Sequence, residues 1–134
     1  MKRAPLTLAT AALLATASAF LAPTAASGVS GTLAGTWTST DTDGSTQTLD
    51  ITGSGRHAYS MVYVDESATG ACAGDPAQVT GPGFVEGEDL VMVGTLVCLP
   101  GGNGLRTRIS IFFDYDAGAD TLTDSFGIVW ERAG

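Results

Sequence analysis

The chain has 134 residues, with six Lys or Arg against fourteen Asp or Glu, a length that allows one domain with a modest core. Two of the six basic residues are Lys2 and Arg3, so the remainder carries only Arg56, Arg106, Arg108 and Arg132, and no lysine. Four basic side chains against fourteen acidic ones leave ten net negative charges, which repel nucleic acid and anionic membranes and keep an exported chain soluble.

The N-terminus reads as a signal peptide. Lys2 and Arg3 precede an apolar run from Leu6 to Ala22, and the small residues Ala25, Ala26 and Ser27 follow. Cleavage near Ala26 gives a leader over 1–26 and one secreted domain over 27–134. The apolar run is short for a spanning helix, and no cysteine stands nearby to carry a lipid anchor. The expected product is extracellular, with no membrane attachment after cleavage.

Beyond the leader no segment has a helical period of apolar residues. Short β-rich runs alternate with Gly, Asp and Pro clusters. The predicted strands are Thr36–Thr40, Thr46–Thr52, His57–Val64, Ala77–Glu86, Leu90–Leu99, Leu105–Tyr115, Thr121–Asp124 and Phe126–Arg132. The last two could also form one bent strand with a bulge at Ser125. In Leu105–Tyr115 the odd-numbered residues Leu105, Thr107, Ile109, Ile111, Phe113 and Tyr115 share the face expected to look inward. "LVMVGTLVCL" is apolar on both faces, as a strand covered from both sides would be, and Gly94 within it marks a bulge or a close backbone approach. All connections but "DESATGACAGDP" are short, which predicts antiparallel hairpins in an up-and-down meander of seven or eight strands. Such a meander removes its edges by closing into a small all-β barrel; a two-sheet β-sandwich is the alternative.

Cys72 and Cys98 are the two cysteines, and in an exported domain they are expected to pair. A hairpin turning at Gly87–Glu88 sets Cys98 opposite a residue near Ala77, so the bond ties the long loop to the end of a central strand. The chain-entropy contribution of such a bond is about 3–4 kcal/mol.

Few residues carry chemistry. "DTDGS" offers Asp41 and Asp43 as weak metal ligands, but the distant bidentate Glu and flanking helices of a calcium loop are missing, and a hairpin tip explains the same residues. "PGGNGLR" lacks both the helix and the Lys of a phosphate loop. His57 is the one histidine, without a nucleophile in sequence. Asp114, Asp116, Asp120 and Asp124 crowd around one turn and could in principle supply paired carboxylates, but read more simply as solvated turn residues. The expectation is a non-catalytic protein without metal or cofactor.

The most specific pattern joins the two ends. Gly35-Thr36-Trp37 on the first strand and Trp130 and Arg132 in "GIVWER" on the last resemble the calycin superfamily, the lipocalins and avidin-like proteins. The resemblance implies that Trp37 plugs the barrel base and that Arg132 stacks across it, a contact worth roughly 0.5–2 kcal/mol. It also implies an interior that can hold a ligand, expected to be small and apolar or mixed.

The residues placed inside are His57, Tyr59, Met61 and Tyr63 on one strand, and Phe126, Ile128 and Trp130 on another. They either line a ligand cavity or fill a solid core. A second function class is a protein-interaction or inhibitory module, meeting an extracellular protein through the rim loops Glu66–Asp75 and Pro100–Gly104.

Overall fold

A computed structural model describes residues 32–100 and 103–134. The expected leader over 1–26 and the tip of the Pro100–Gly104 loop lie outside the described residues. Eight strands follow one another: β1 (Gly35–Thr40), β2 (Thr46–Thr52), β3 (Ala58–Asp65), β4 (Ala77–Glu86), β5 (Asp89–Cys98), β6 (Asn103–Asp116), β7 (Thr121–Asp124) and β8 (Val129–Arg132). Each pairs antiparallel with its successor, and β8 pairs with β1 through Trp37↔Arg132 and Thr38↔Glu131. The result is a closed up-and-down barrel, not a sandwich: short hairpin links keep neighbours adjacent, and closure satisfies both edges of the meander. Ala133 extends the seam by donating its N–H to the Thr36 carbonyl at 2.8 Å.

Alternation decides what faces inward. Gln47, Leu49 and Ile51 on β2, Tyr59 and Met61 on β3, and Ile111 and Phe113 on β6 are all buried, while the residues between them are less so. Thr107, expected inside with its odd-numbered neighbours on β6, is exposed instead, because the strand runs out past the mouth of the barrel there.

β5 shows why a two-faced apolar pattern misleads. Leu90, Met92 and Leu96 point into the core, but among the described residues no second layer covers the outer face. Val91 is shielded there by its own cross-strand neighbours Phe84 and Phe112, which remain about half exposed. Gly94 does serve a close approach. A Cβ on it would lie 2.6 Å from Val79 Cγ1 and 2.9 Å from the Thr80 carbonyl oxygen, so only hydrogen fits at this point of the β4–β5 contact.

The last hairpin also departs from expectation. Ser125 to Ile128 form a turn between β7 and β8, with no bent continuous strand and no strand at Phe126. Asp124 causes this. Its Oδ1 accepts the N–H groups of Phe126 (2.9 Å) and Ile128 (3.0 Å), and Gly127 supplies the positive φ of 84° that the turn needs.

The connections sort into two ends. The β1–β2, β3–β4, β5–β6 and β7–β8 loops surround one mouth; the β2–β3, β4–β5 and β6–β7 turns lie at the other end with the start of β1 and the end of β8. Cys72 and Cys98 form a disulfide, with Cα atoms 5.5 Å apart, and Ala77 pairs with Cys98 in register. The bond fixes the β3–β4 loop to the mouth end of β5, and the Leu99 N–H, donating to the Pro76 carbonyl at 2.7 Å, reinforces the tie. Such a bond is compatible with an extracellular protein.

Candidate functional site: a plugged base and an open mouth

The base is closed by Trp37, fully buried with Leu33 beside it. The indole N–H donates to the Leu33 carbonyl at 3.0 Å, and the Leu33 N–H reaches the Tyr59 hydroxyl at 3.4 Å. Arg132 lies over the indole with its guanidinium carbon 4.2 Å from the ring centroid. The guanidinium is held in place from two sides. Nε and Nη2 donate to the two carboxylate oxygens of Asp120 at 2.8 and 3.0 Å, and Nη1 donates to the Ala34 carbonyl at 2.9 Å. The Tyr115 hydroxyl donates to Asp120 at 2.9 Å, and its ring meets Trp37 edge-on at 6.2 Å. The Arg132 hydrogen bonds pull the Asp120 carboxyl below its ordinary range, and the Asp120 hydrogen bonds raise Arg132. The indole N–H, the Tyr115 hydroxyl and three nitrogens of Arg132 all find acceptors within the protein. The base is built for closure.

The mouth differs. A cavity of about 400 Å³ opens there, within the span of small-molecule sites. Val79, Leu96, Ile109 and Ile111 form apolar walls, and Ala68 to Ala71 of the disulfide-tied loop form part of the rim. Polar groups come from Gln47, Tyr63, Asp65 and Asp124, of which Gln47, Asp65 and Asp124 are buried. A relay orders them: the Ser39 hydroxyl donates to Gln47 Oε1 at 2.8 Å, and Gln47 Nε2 donates to the Tyr63 hydroxyl at 3.0 Å. Asp124 Oδ2 accepts the Trp130 indole N–H at 3.0 Å, which sets the Trp130 ring 5.5 Å from that of Tyr63. Burial, followed by the charges of Asp65, Asp124 and Asp41, pushes the Tyr63 hydroxyl well above the usual phenol range.

Of the residues expected inside, Tyr63, Phe126 and Ile128 line this cavity. Phe126 does so from the rim, 68% exposed, and on a turn. Trp130 is fully buried behind Tyr63. Tyr59 and Met61 fill the core below; a Cβ on Gly83 would collide with Met61. His57 is not inside: it is exposed in the β2–β3 turn at the base, because the strand starts one residue later than expected and leaves the ring in solvent.

Three of the four acidic residues do gather at the β6–β7 turn at the base: Asp114 and Asp116 end β6, Asp116 caps the turn by accepting the Gly118 N–H at 2.8 Å, and Asp120 closes it. Only Asp124 is apart, at the mouth end of β7. Asp43 holds the β1–β2 hairpin by accepting the Ser45 hydroxyl at 2.6 Å and the Ser45 N–H at 2.9 Å. Those bonds lower its carboxyl below the ordinary value. Asp41 reaches the mouth. Among the described residues no group of three or more His, Cys, Asp or Glu is placed to hold a metal.

Sequence reasoning does not single out Gln47 or Asp65, and it groups Asp124 with the turn acids rather than placing it at the mouth. The signal for Gln47 and Asp65 is a polar residue at the mouth end of an apolar alternation, as in Gln47-x-Leu49-x-Ile51 and Tyr59-x-Met61-x-Tyr63-x-Asp65. No family model matches the chain, and no match appears among curated proteins or solved structures.

Proposed function

We propose that this chain is an exported, calycin-like, non-catalytic barrel that binds one small, largely apolar molecule at its open mouth. The carrying observation is the asymmetry of the two ends. An aromatic and ionic plug closes the base, and a cavity of about 400 Å³ with apolar walls and buried polar tips stands at the mouth. Gln47 and Asp124 find their partners within the protein. Asp65 instead lines the cavity with one carboxylate oxygen that has no partner among the described residues, and a polar group set in apolar surroundings favours an occupant that pairs with it. The test is titration of the pure protein with an uncharged fluorophore such as Nile red, following dye emission and Trp quenching. One saturable site supports the reading; a linear, unsaturable response rejects it.

A second reading, a protein-interaction module, draws on Phe126. This aromatic side chain stands 68% exposed on the same rim as the disulfide-tied loop, and exposed aromatic anchors are enriched at protein interfaces. Under that reading an extracellular protein binds through the rim, Phe126→Ser abolishes the complex, and Nile red finds no site.

A further inference from the structure

The carboxylates at the mouth differ in what they have left to give. Asp124 is saturated: Oδ1 takes the Phe126 and Ile128 N–H groups, and Oδ2 takes the Trp130 indole N–H. Asp41 is more open, with Oδ1 accepting the Thr42 N–H at 2.6 Å. Asp65 is only 7% exposed. Its Oδ1 accepts the Ser67 N–H at 3.0 Å and the Ser45 hydroxyl at 3.3 Å, while Oδ2 has no hydrogen-bond partner among the described residues. No fully buried side-chain oxygen or nitrogen among the described residues lacks a partner, so Oδ2 must reach open space. The open space beside Asp65 is the cavity.

The surroundings reinforce this. Asp65 is on the inward face of β3, two residues from Tyr63, whose hydroxyl accepts from Gln47 and keeps its own proton without an acceptor among the described residues. No Lys, Arg or His is among the described residues lining the cavity. Burial and the charges of Asp65, Asp124 and Asp41 hold Tyr63 protonated well past the usual phenol range, a sign of the negative field at this mouth. A carboxylate oxygen only accepts, so one that opens onto the cavity takes its donor from whatever enters there. A charged donor arriving there forms the stronger class of hydrogen bond.

We propose that the cavity takes a protonated organic amine with an apolar body, its N–H donating to Asp65 Oδ2 while the body packs against Val79, Leu96 and Ile111. This rests on the reading of the cavity as a ligand site. Organic anions are rejected by the same field, since like charges without a counter-ion oppose binding.

The test uses three probes of one shape: naphthylmethylamine, naphthylmethanol and naphthoate, titrated calorimetrically into the intact protein at neutral pH. The amine is expected to bind about tenfold or more tighter than the alcohol, the equivalent of one charge-assisted hydrogen bond, and naphthoate to bind weakest. Asp65→Asn, which keeps an acceptor for Ser67 and Ser45, should abolish most of the preference for the amine over the alcohol. If the alcohol or naphthoate binds as tightly as the amine, the amine proposal is overturned and the cavity reading stands. A full amine preference in folded Asp65→Asn also overturns it. If none of the three nor Nile red binds, both readings fail together. The comparison among probes needs no variant and therefore does not depend on how Asp65→Asn folds.

Discussion

Arg132 and Trp37 are Cα partners across the β1–β8 seam and are stacked, with the guanidinium carbon 4.2 Å from the indole centroid. The contact joins the first strand to the last where the barrel closes through two paired positions. Closure therefore depends on side chains as much as on the ladder. Arg132→Ala removes the stack, the Asp120 fork and the Ala34 bond together, and should lower unfolding stability by about 2–3 kcal/mol. Arg132→Lys should recover part of this, because it keeps the charge but loses the planar fork. Urea denaturation of the two variants measures the difference.

The same ion pair sets an acid limb. The folded Asp120 value is depressed by Arg132, so its contribution is present above the ordinary carboxylate value of about 4 and is lost as pH falls through the lower folded value. With both partners partly exposed, the contribution is small, under about 1 kcal/mol. Asp120→Asn should show less loss of stability between neutral and acid pH than the parent in matched denaturation curves.

At the alkaline side the sign reverses. Tyr63 is raised chiefly by burial and then by Asp65, Asp124 and Asp41, and Tyr115 is raised by burial and Asp120. A raised folded value means stability fully present below the unfolded phenol value of about 10 and lost as pH rises beyond it. Thermal melts should fall above that pH, and Tyr63→Phe should remove part of the fall.

Asp124 organises the β7–β8 turn and the Trp130 indole through three accepted N–H groups. Asp124→Ala should cost about 3 kcal/mol or more, since it orphans donors that include a buried indole. Near-ultraviolet circular dichroism of the tryptophans should change with it.

Reducing Cys72–Cys98 should lower stability by about 3–4 kcal/mol on the chain-entropy estimate and free the rim loop that carries Ala68 to Ala71. Melting with and without thiol reductant checks the first point. Hydrogen exchange at the loop amides Ala68, Cys72 and Asp75, which bond within the loop, checks the second.

Much of the barrel was legible in sequence because period and punctuation agreed. Thr46–Thr52, Ala77–Glu86 and Thr121–Asp124 occupy the predicted limits, and the turn at Gly87–Glu88 set Ala77 against Cys98. The stack of Arg132 on Trp37 was implied by the calycin resemblance, and closure of the meander makes the first and last strands the neighbours it needs. The mouth was not legible. Its polar set comes from β2, the end of β3 and the end of β7, and alternation assigns a face without saying how high on the barrel a residue sits. Phe126 and Ile128 were given to a strand because their spacing is two. The Asp124 carboxylate accepts the Phe126 and Ile128 N–H groups, its carbonyl accepts the Gly127 N–H, and its own N–H donates to the Ile128 carbonyl, which makes them a turn instead.

The central claim is that the mouth, and not the base, holds one small molecule. Ile109 is partly buried on the cavity wall, so Ile109→Trp fills the space while the plug at the base stays intact. Nile red titrations of the parent and of Ile109→Trp test the claim most directly. The account predicts one saturable site in the parent and its loss in a variant that still melts cooperatively; equal saturable binding in both would contradict it.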